Sequence, residues 1–167
     1  MPTVVSNSSP LIILSMVGEF YLLEPVFGEV WVAPEVQNEV VVLGAGKAGS
    51  AEVAAAKFLK VKAADPSFEI PRLQASENIG AGEAATIILA SQLRADCVLL
   101  DDKQARKVAK ARGLRVAGTI RVLELAYERG LIRDLTTVYR RLLTTNGRIR
   151  PELLNESLSH YRLPPLS

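Results

Sequence analysis

The most restrictive feature of this chain is a set of very short apolar runs that do not alternate with polar residues. Thr3-Val4-Val5-Ser6, Glu29-Val30-Trp31-Val32, Phe58 to Val61, Cys97-Val98-Leu99-Leu100 and Leu114 to Ala117 each read as a strand, and helix-length segments separate them. A strand with one wet face alternates polar and apolar residues; a strand covered on both faces has no need to. Bare strands alternating with helices predict an α/β class: a central parallel sheet in a three-layer α/β/α arrangement. With 167 residues there is room for one domain.

The helices follow from their start signals. Ser8-Ser9-Pro10 predicts a helix with hydroxyl caps and proline in its first turn, carrying Leu11, Ile12, Leu14 and Met16 inward until Gly18. Pro34 opens a second helix with Val36, Val40 and Leu43 on one side. After the glycine-rich loop from Gly44 to Gly49, an alanine-rich helix runs from Ser50 to about Lys57. The polar stretch from Asp65 to Gly82, with Pro66 and Pro71, reads as a loop over one end of the sheet. Helices are predicted over Glu83–Arg94 (Ala84, Ile87, Ile88 and Ser91 on one face), Asp101–Arg112 and Thr119 to about Arg129, then Asp134–Thr144 and Pro151–His160.

Composition excludes several chemistries. Aromatic residues at 5% are too sparse for a base-stacking platform. A single cysteine, Cys97, and a single histidine, His160, exclude an internal disulfide framework and a Cys- or His-rich zinc site. No apolar run is long enough to cross a bilayer and no signal-type segment opens the chain, which predicts the cytoplasm and no membrane. Charge is uneven: Met1 to Glu83 holds five Lys/Arg against ten Asp/Glu, a net −5, and Ala84 to Ser167 holds fifteen against eight, a net +7. That split fits a carboxylate cluster beside a polyanion-binding surface, and it equally fits charges that folding intersperses.

In an open parallel sheet, ligands bind beyond the carboxyl ends of the strands. Asn7 follows the first strand there, and Asp101 and Asp102 follow the strand ending at Leu100. Glu39 lies in the helix after Pro34, and Glu83 lies in the first turn of its own helix. Singly, each has an ordinary explanation: a helix cap for Asp101 or Asp102 with Arg106 as ion-pair partner, a dipole contact for Glu83, a wet helix face for Glu39, a turn for Asn7. Their convergence on strand ends is what favours a site. Two carboxylates about 5 Å apart at an effective dielectric of about 20 repel by roughly 3 kcal/mol, which a cation or a raised pKa relieves. Oxygen-only donors select Mg²⁺ or Mn²⁺ over zinc. Such an ion supports phosphodiester hydrolysis, and the basic half can hold the polyanion.

Five segments in order then carry a resemblance: Val4-Val5-Ser6-Asn7-Ser8-Ser9-Pro10-Leu11-Ile12, Ala33-Pro34-Glu35-Val36-Gln37-Asn38-Glu39-Val40, Gly82-Glu83-Ala84-Ala85-Thr86-Ile87-Ile88-Leu89-Ala90, Leu99-Leu100-Asp101-Asp102-Lys103-Gln104-Ala105-Arg106 and Val116-Ala117-Gly118-Thr119. Over Val4 to about Leu131 the chain resembles the PIN-domain nuclease superfamily, in a branch related to the toxins of toxin–antitoxin pairs. The resemblance implies a PIN-like domain over 1–131, with 132–167 a helical extension packed on the same domain. It implies cleavage of single-stranded RNA by metal-activated water with Mg²⁺ or Mn²⁺, an antitoxin protein as partner, and a homodimer. Glu39, Glu83 and Asp102 match the acidic metal positions, with Asp101 beside the last; Asn7 falls where most PIN domains place their first aspartate. An amide oxygen can bind a hard cation but carries no charge and cannot serve as a base. Ser9 and Thr119 are candidates for phosphate contact or for capping, with capping the better fit. Lys103, Arg106 and Lys107, with Lys110 and Arg112, form a basic helix suited to RNA. Arg140, Arg141, Arg148 and Arg150 mark the extension as a dimer arm, a partner-binding element or a packing element.

Three functional readings stand at this point. The first is the Mg²⁺/Mn²⁺-dependent endoribonuclease. The second is a PIN-fold module that binds RNA or protein with weak or no cleavage, favoured by the neutral Asn7. The third is a receiver-like regulatory domain, suggested by the Asp101-Asp102 pair, although a receiver carries that pair after its first strand.

Overall fold

The computed structural model describes residues 2–145 and 149–167; Arg148 of the basic C-terminal set lies outside them. Five strands, β1 (Val4–Ser6), β2 (Val30–Val32), β3 (Leu59–Val61), β4 (Cys97–Leu99) and β5 (Val116–Ala117), form one sheet in the order β3-β2-β1-β4-β5. All four pairings are parallel, with Val5 opposite Trp31 on one side and Val98 on the other. Val4, Val5, Val30, Val98 and Leu99 are fully buried, as unalternated strands between two helical layers must be. Helix α6 (Ala81–Gln92) packs on β1 and β4 with α5 (Glu69–Glu77) and α7 (Lys103–Ala111) beside it. Helices α1 (Ser8–Met16), α2 (Leu23–Phe27) and α8 (Thr119–Glu128) pack together as a second group. The architecture is the three-layer α/β/α arrangement that the apolar runs predict.

Several local expectations are corrected. The stretch from Asp65 to Gly82 contains α5, anchored by buried Ile70 and Leu73. Pro71 lies in its first turn, where a missing N–H costs no helical hydrogen bond. The segment after Gly18 carries a 3-10 turn (Phe20–Leu22) and α2, held by buried Phe20, Leu23, Val26 and Phe27. The helix opened by Pro34, α3 (Pro34–Gln37), passes into a π-helical turn over Asn38–Leu43. The wider turn rotates later residues off the inner stripe, so Val36 and Val40 are buried while Leu43 is 71% exposed. On α1 the buried residues are Ser8, Pro10, Leu11, Ile13 and Leu14, while Ile12 and Met16 are not buried and line a cleft. No side chain caps that helix: Asn7 holds the cap position without a side-chain hydrogen bond. Ser91 of α6 is exposed, while the run Gly82–Ala90 is buried apart from Glu83, because α6 is enclosed by the sheet and by α3, α5 and α7.

Helices α9 (Leu135–Thr145) and α10 (Pro151–His160) pack on α8 and on each other, and α9 also meets α1. Tyr139, Leu142, Leu154 and Leu158 are fully buried in that contact. The Tyr139 hydroxyl lies 2.6 Å from Ser157 Oγ, which donates to Glu124 Oε1 of α8 at 2.8 Å. Arg141 donates to the Val17 carbonyl at 2.6 Å and to Glu19 Oε1 at 3.1 Å, strapping α9 to the end of α1.

Candidate functional site

Strand order changes direction at β1, whose neighbours β2 and β4 lead the chain to opposite edges. Such a switch point opens a crevice at the carboxyl ends of the strands. Asn7 follows β1 there, its N–H donating to the Leu99 carbonyl at 3.0 Å. The residue is 6% exposed, and Oδ1 is buried without a hydrogen-bond partner. Ser8 donates through Oγ to Glu39 Oε2 at 3.0 Å and so aims the carboxylate that the π-helical turn presents. Gly82 closes the group: a Cβ there would stand 2.7 Å from Glu39 Oε2 and 3.4 Å from Asn7 Oδ1. Any side chain at Gly82 would enter the space these two oxygens share.

Glu83, the next residue, accepts from the Gly80 N–H at 2.9 Å through Oε1. Burial holds its carboxyl above the ordinary glutamate range; the Gly80 N–H pulls the other way, and the Asp102 and Glu39 carboxylates push it higher still. Asp102 caps α7, Oδ1 accepting from the Ala105 N–H at 2.8 Å, and its side chain is exposed. Asp101 is engaged at both oxygens: Oδ1 accepts from the Thr119 N–H at 2.7 Å and Oδ2 from Thr119 Oγ1 at 2.6 Å. Arg106 donates to the Leu100 carbonyl at 3.0 Å, not to Asp102. A Cβ on Gly118 would lie 2.9 Å from Asp101 Oδ1 and 2.8 Å from Arg106 Nη1, so both side chains close over this glycine, without an ion pair between them.

These residues line one cleft of about 1860 Å³. Asn7, Glu39, Glu83, Asp101 and Asp102 are all brought to it, and Glu35 joins them. Lys103, Arg106, Lys107 and Lys110 line it from α7, Ser9 from α1, and Ile149, Arg150 and Leu153 from the C-terminal segment. Thr119 also borders it but is 1% exposed, with its hydroxyl committed to Asp101. Arg140 and Arg141 do not line the cleft. Among the described residues no three Asp, Glu, His or Cys side chains close on a single point. The acidic side chains line the same cleft as the unpartnered Asn7 amide oxygen, with Glu39 Oε2 and Asn7 Oδ1 both facing Gly82. The donors, carboxylates plus one orphaned amide oxygen, are of the oxygen-only type that hard divalent cations take, although the carboxylates do not converge in this structure.

Sequence reasoning missed Ser8, Gly82 and the Thr119–Asp101 pair. Ser8 carried a signal as a neighbour of Asn7; the other two contacts are non-local. Among the described residues no helix is long and apolar enough to cross a membrane.

No curated protein sequence matches the chain. Among solved structures it is similar to a protein from Pyrobaculum aerophilum, with a TM-score of 0.51 and 14% identity, over 75% of this chain and 96% of that one. That likeness is one of fold. The DUF3368 family model, described as a PIN domain, matches residues 3–162, from before β1 to beyond α10. With that match spanning nearly the whole sequence and the sheet-end cleft in place, the chain belongs to the PIN-domain family.

Proposed function

We propose that this protein is a Mg²⁺- or Mn²⁺-dependent endoribonuclease that cleaves single-stranded RNA in the cleft beyond β1 and β4. The observation that carries the reading is the buried Asn7 Oδ1, which lacks a donor and stands beside Glu39 Oε2 under Gly82. A buried acceptor without a donor is a destabilised feature that a cation relieves. Asn7, Glu39, Glu83 and Asp102 are the residues that would hold it. When bound, such an ion lowers the pKa of water and offsets charge that develops on the phosphoryl group.

The chain's own residues set the frame for that chemistry. Ser8 orients Glu39, the Gly80 N–H orients Glu83, and the start of α7 fixes Asp102. Asp101 ties the end of β4 to the start of α8 through Thr119. Lys103, Lys107 and Lys110 face the cleft as point charges for the phosphate backbone, with Arg106 anchored at Leu100 behind them. Ser9 of α1 lines the same space. A toxin role restrained by an antitoxin protein, and a homodimer, have the family resemblance as their support.

The test is a calorimetric Mn²⁺ titration of chelator-treated protein beside a Glu83→Gln, Asp102→Asn double variant, with a single-stranded RNA cleavage assay in parallel. Binding and metal-dependent cleavage in the parent, both lost in the variant, are expected. No binding by the parent at millimolar Mn²⁺ sinks the reading. The second reading, a PIN-fold RNA-binding module without cleavage, is favoured by the neutral Asn7 amide; RNA binding that persists without Mn²⁺ binding selects it.

A further inference from the structure

A run of direct polar contacts leads from the C-terminal helices to the start of α8. The Tyr139 hydroxyl meets Ser157 Oγ at 2.6 Å in a buried position, and Ser157 donates to Glu124 Oε1 at 2.8 Å. The other oxygen of that carboxylate, Oε2, accepts from Arg121 Nη1 at 3.1 Å. Arg121 Nη1 also donates to Glu128 Oε1 at 3.0 Å, and the Tyr161 hydroxyl, just after α10, donates to the same oxygen. Both carboxylates that hold Arg121 are thus held in turn from the C-terminal segment.

Arg121 stands in the first turn of α8, two residues after Thr119, and it lines the cleft together with Glu124. Direct contacts fix where that helix starts. Thr119 is bonded to Asp101 at the end of β4, and Arg106 of α7 closes over Gly118. Arg150, at the start of α10, lines the same cleft.

An ion pair on a wet helix face orders two long side chains for little gain. Here the Glu124 side chain is only 17% exposed, and each carboxylate has a hydroxyl donor besides Arg121. Among the described residues only Nη1 of Arg121 makes hydrogen bonds, which leaves the donors on Nη2 and Nε unused. A guanidinium anchored at one nitrogen with further N–H groups to spare is suited to a phosphate.

We infer that Arg121 is a phosphate-binding residue of the cleft, held in place by Ser157 through Glu124 and by Tyr161 through Glu128. The inference rests on the RNA reading of the cleft, and it makes the C-terminal helices part of the binding apparatus as well as packing elements. An anchored side chain loses less conformational freedom when its ligand arrives, and affinity gains by that difference.

The test is single-stranded RNA binding in chelator over a range of salt, at a temperature where circular dichroism shows each protein folded. The proteins are the parent, Arg121→Ala, Ser157→Ala, Tyr161→Phe and the Arg121→Ala, Ser157→Ala double variant. Arg121→Ala is expected to flatten the slope of log affinity against log salt by about 0.7, the share of one phosphate contact. At about 0.1 M salt that corresponds to about fivefold weaker binding. Ser157→Ala and Tyr161→Phe remove no charge at neutral pH. Each is expected to weaken binding by about two- to tenfold, the scale of ordering one long side chain. Ser157→Ala should cost nothing further in the Arg121→Ala background, because it acts through the guanidinium. Ser157→Ala also unpairs the buried Tyr139 hydroxyl and lowers the Tm; Tyr161→Phe alters an exposed contact and carries the test if Ser157→Ala does not fold.

A parent-like slope and affinity in Arg121→Ala overturn the phosphate contact and leave the RNA reading standing. Parent-like affinity in the folded Ser157→Ala and Tyr161→Phe proteins, or additive losses in the double variant, overturn the positioning from the C-terminal helices. A parent that binds no single-stranded RNA overturns the RNA reading, and this inference with it.

Discussion

At the scale of single residues, the acidic floor is under electrostatic tension. Glu83 lies partly buried between Asp102 and Glu39, and its carboxyl holds its proton to higher pH than an ordinary glutamate. A carboxyl whose folded pKa is raised binds more protons in the native than in the unfolded chain over that window. Stability then falls as pH rises through the window, and the penalty is complete above it. In chelator-treated protein, Glu83→Gln should therefore melt higher than the parent near pH 7.5, and the gap should close as pH falls below about 4, where both states are protonated. Solvent screening of a half-exposed group limits the gain to below about 1 kcal/mol, or about 2–4 °C. Glutamine retains an oxygen for the Gly80 N–H, so the helix start survives the change. A lower Tm, or a gap that ignores pH, would contradict the account. The sequence made Asn7, Glu39, Glu83 and Asp102 legible because strand ends and helix starts are local signals. The orphaned oxygens of Asn7 and Glu35 were not legible, because a missing partner is visible only once every neighbour has a place.

At the scale of elements, the strands could be read because burial on both faces leaves no alternation. The misreadings share a cause, which is tertiary anchoring of locally weak segments. Proline and polar residues hid α5, yet Ile70 and Leu73 hold it against α6. The π-helical turn was hidden because the valine-rich segment fits an ordinary helix until Leu43 turns outward. Element junctions are built the same way, from contacts distant in sequence. Asp101 and Thr119 lie 18 residues apart, and their two hydrogen bonds join the end of β4 to the start of α8. Thr119→Val keeps the shape and removes the hydroxyl, leaving Asp101 Oδ2 against a methyl group. An acceptor that loses its donor in a half-buried site costs about 1–3 kcal/mol, so urea unfolding should show a loss near 2 kcal/mol. Thr119→Ser retains the donor and should lose less than half as much. A larger loss in Thr119→Ser than in Thr119→Val would show that the methyl contact, not the hydroxyl, holds the junction.

At the scale of the whole molecule, the acidic and basic halves of the sequence meet at one cleft. The floor is acidic, while α7 places Lys103, Lys107 and Lys110 along one wall and the C-terminal segment places Arg150 at another. The contribution of these charges can be measured without metal. In chelator, where cleavage is suppressed, binding of a single-stranded RNA oligonucleotide should weaken linearly as log salt rises. Each phosphate contact on a single strand contributes about −0.7 to that slope, so replacing the three lysines by alanine should flatten it by about 2. Arg140, exposed on α9 and not lining the cleft, is the control, and Arg140→Ala should leave the slope unchanged. Mn²⁺ affinity should change little in the triple-lysine variant, because those lysines stand beside the acidic floor and are not among its oxygen donors. An unchanged slope would mean that the lysines only solvate α7. RNA would then have to enter along the wall that carries Arg150, and Arg150→Ala in the same assay decides that directly.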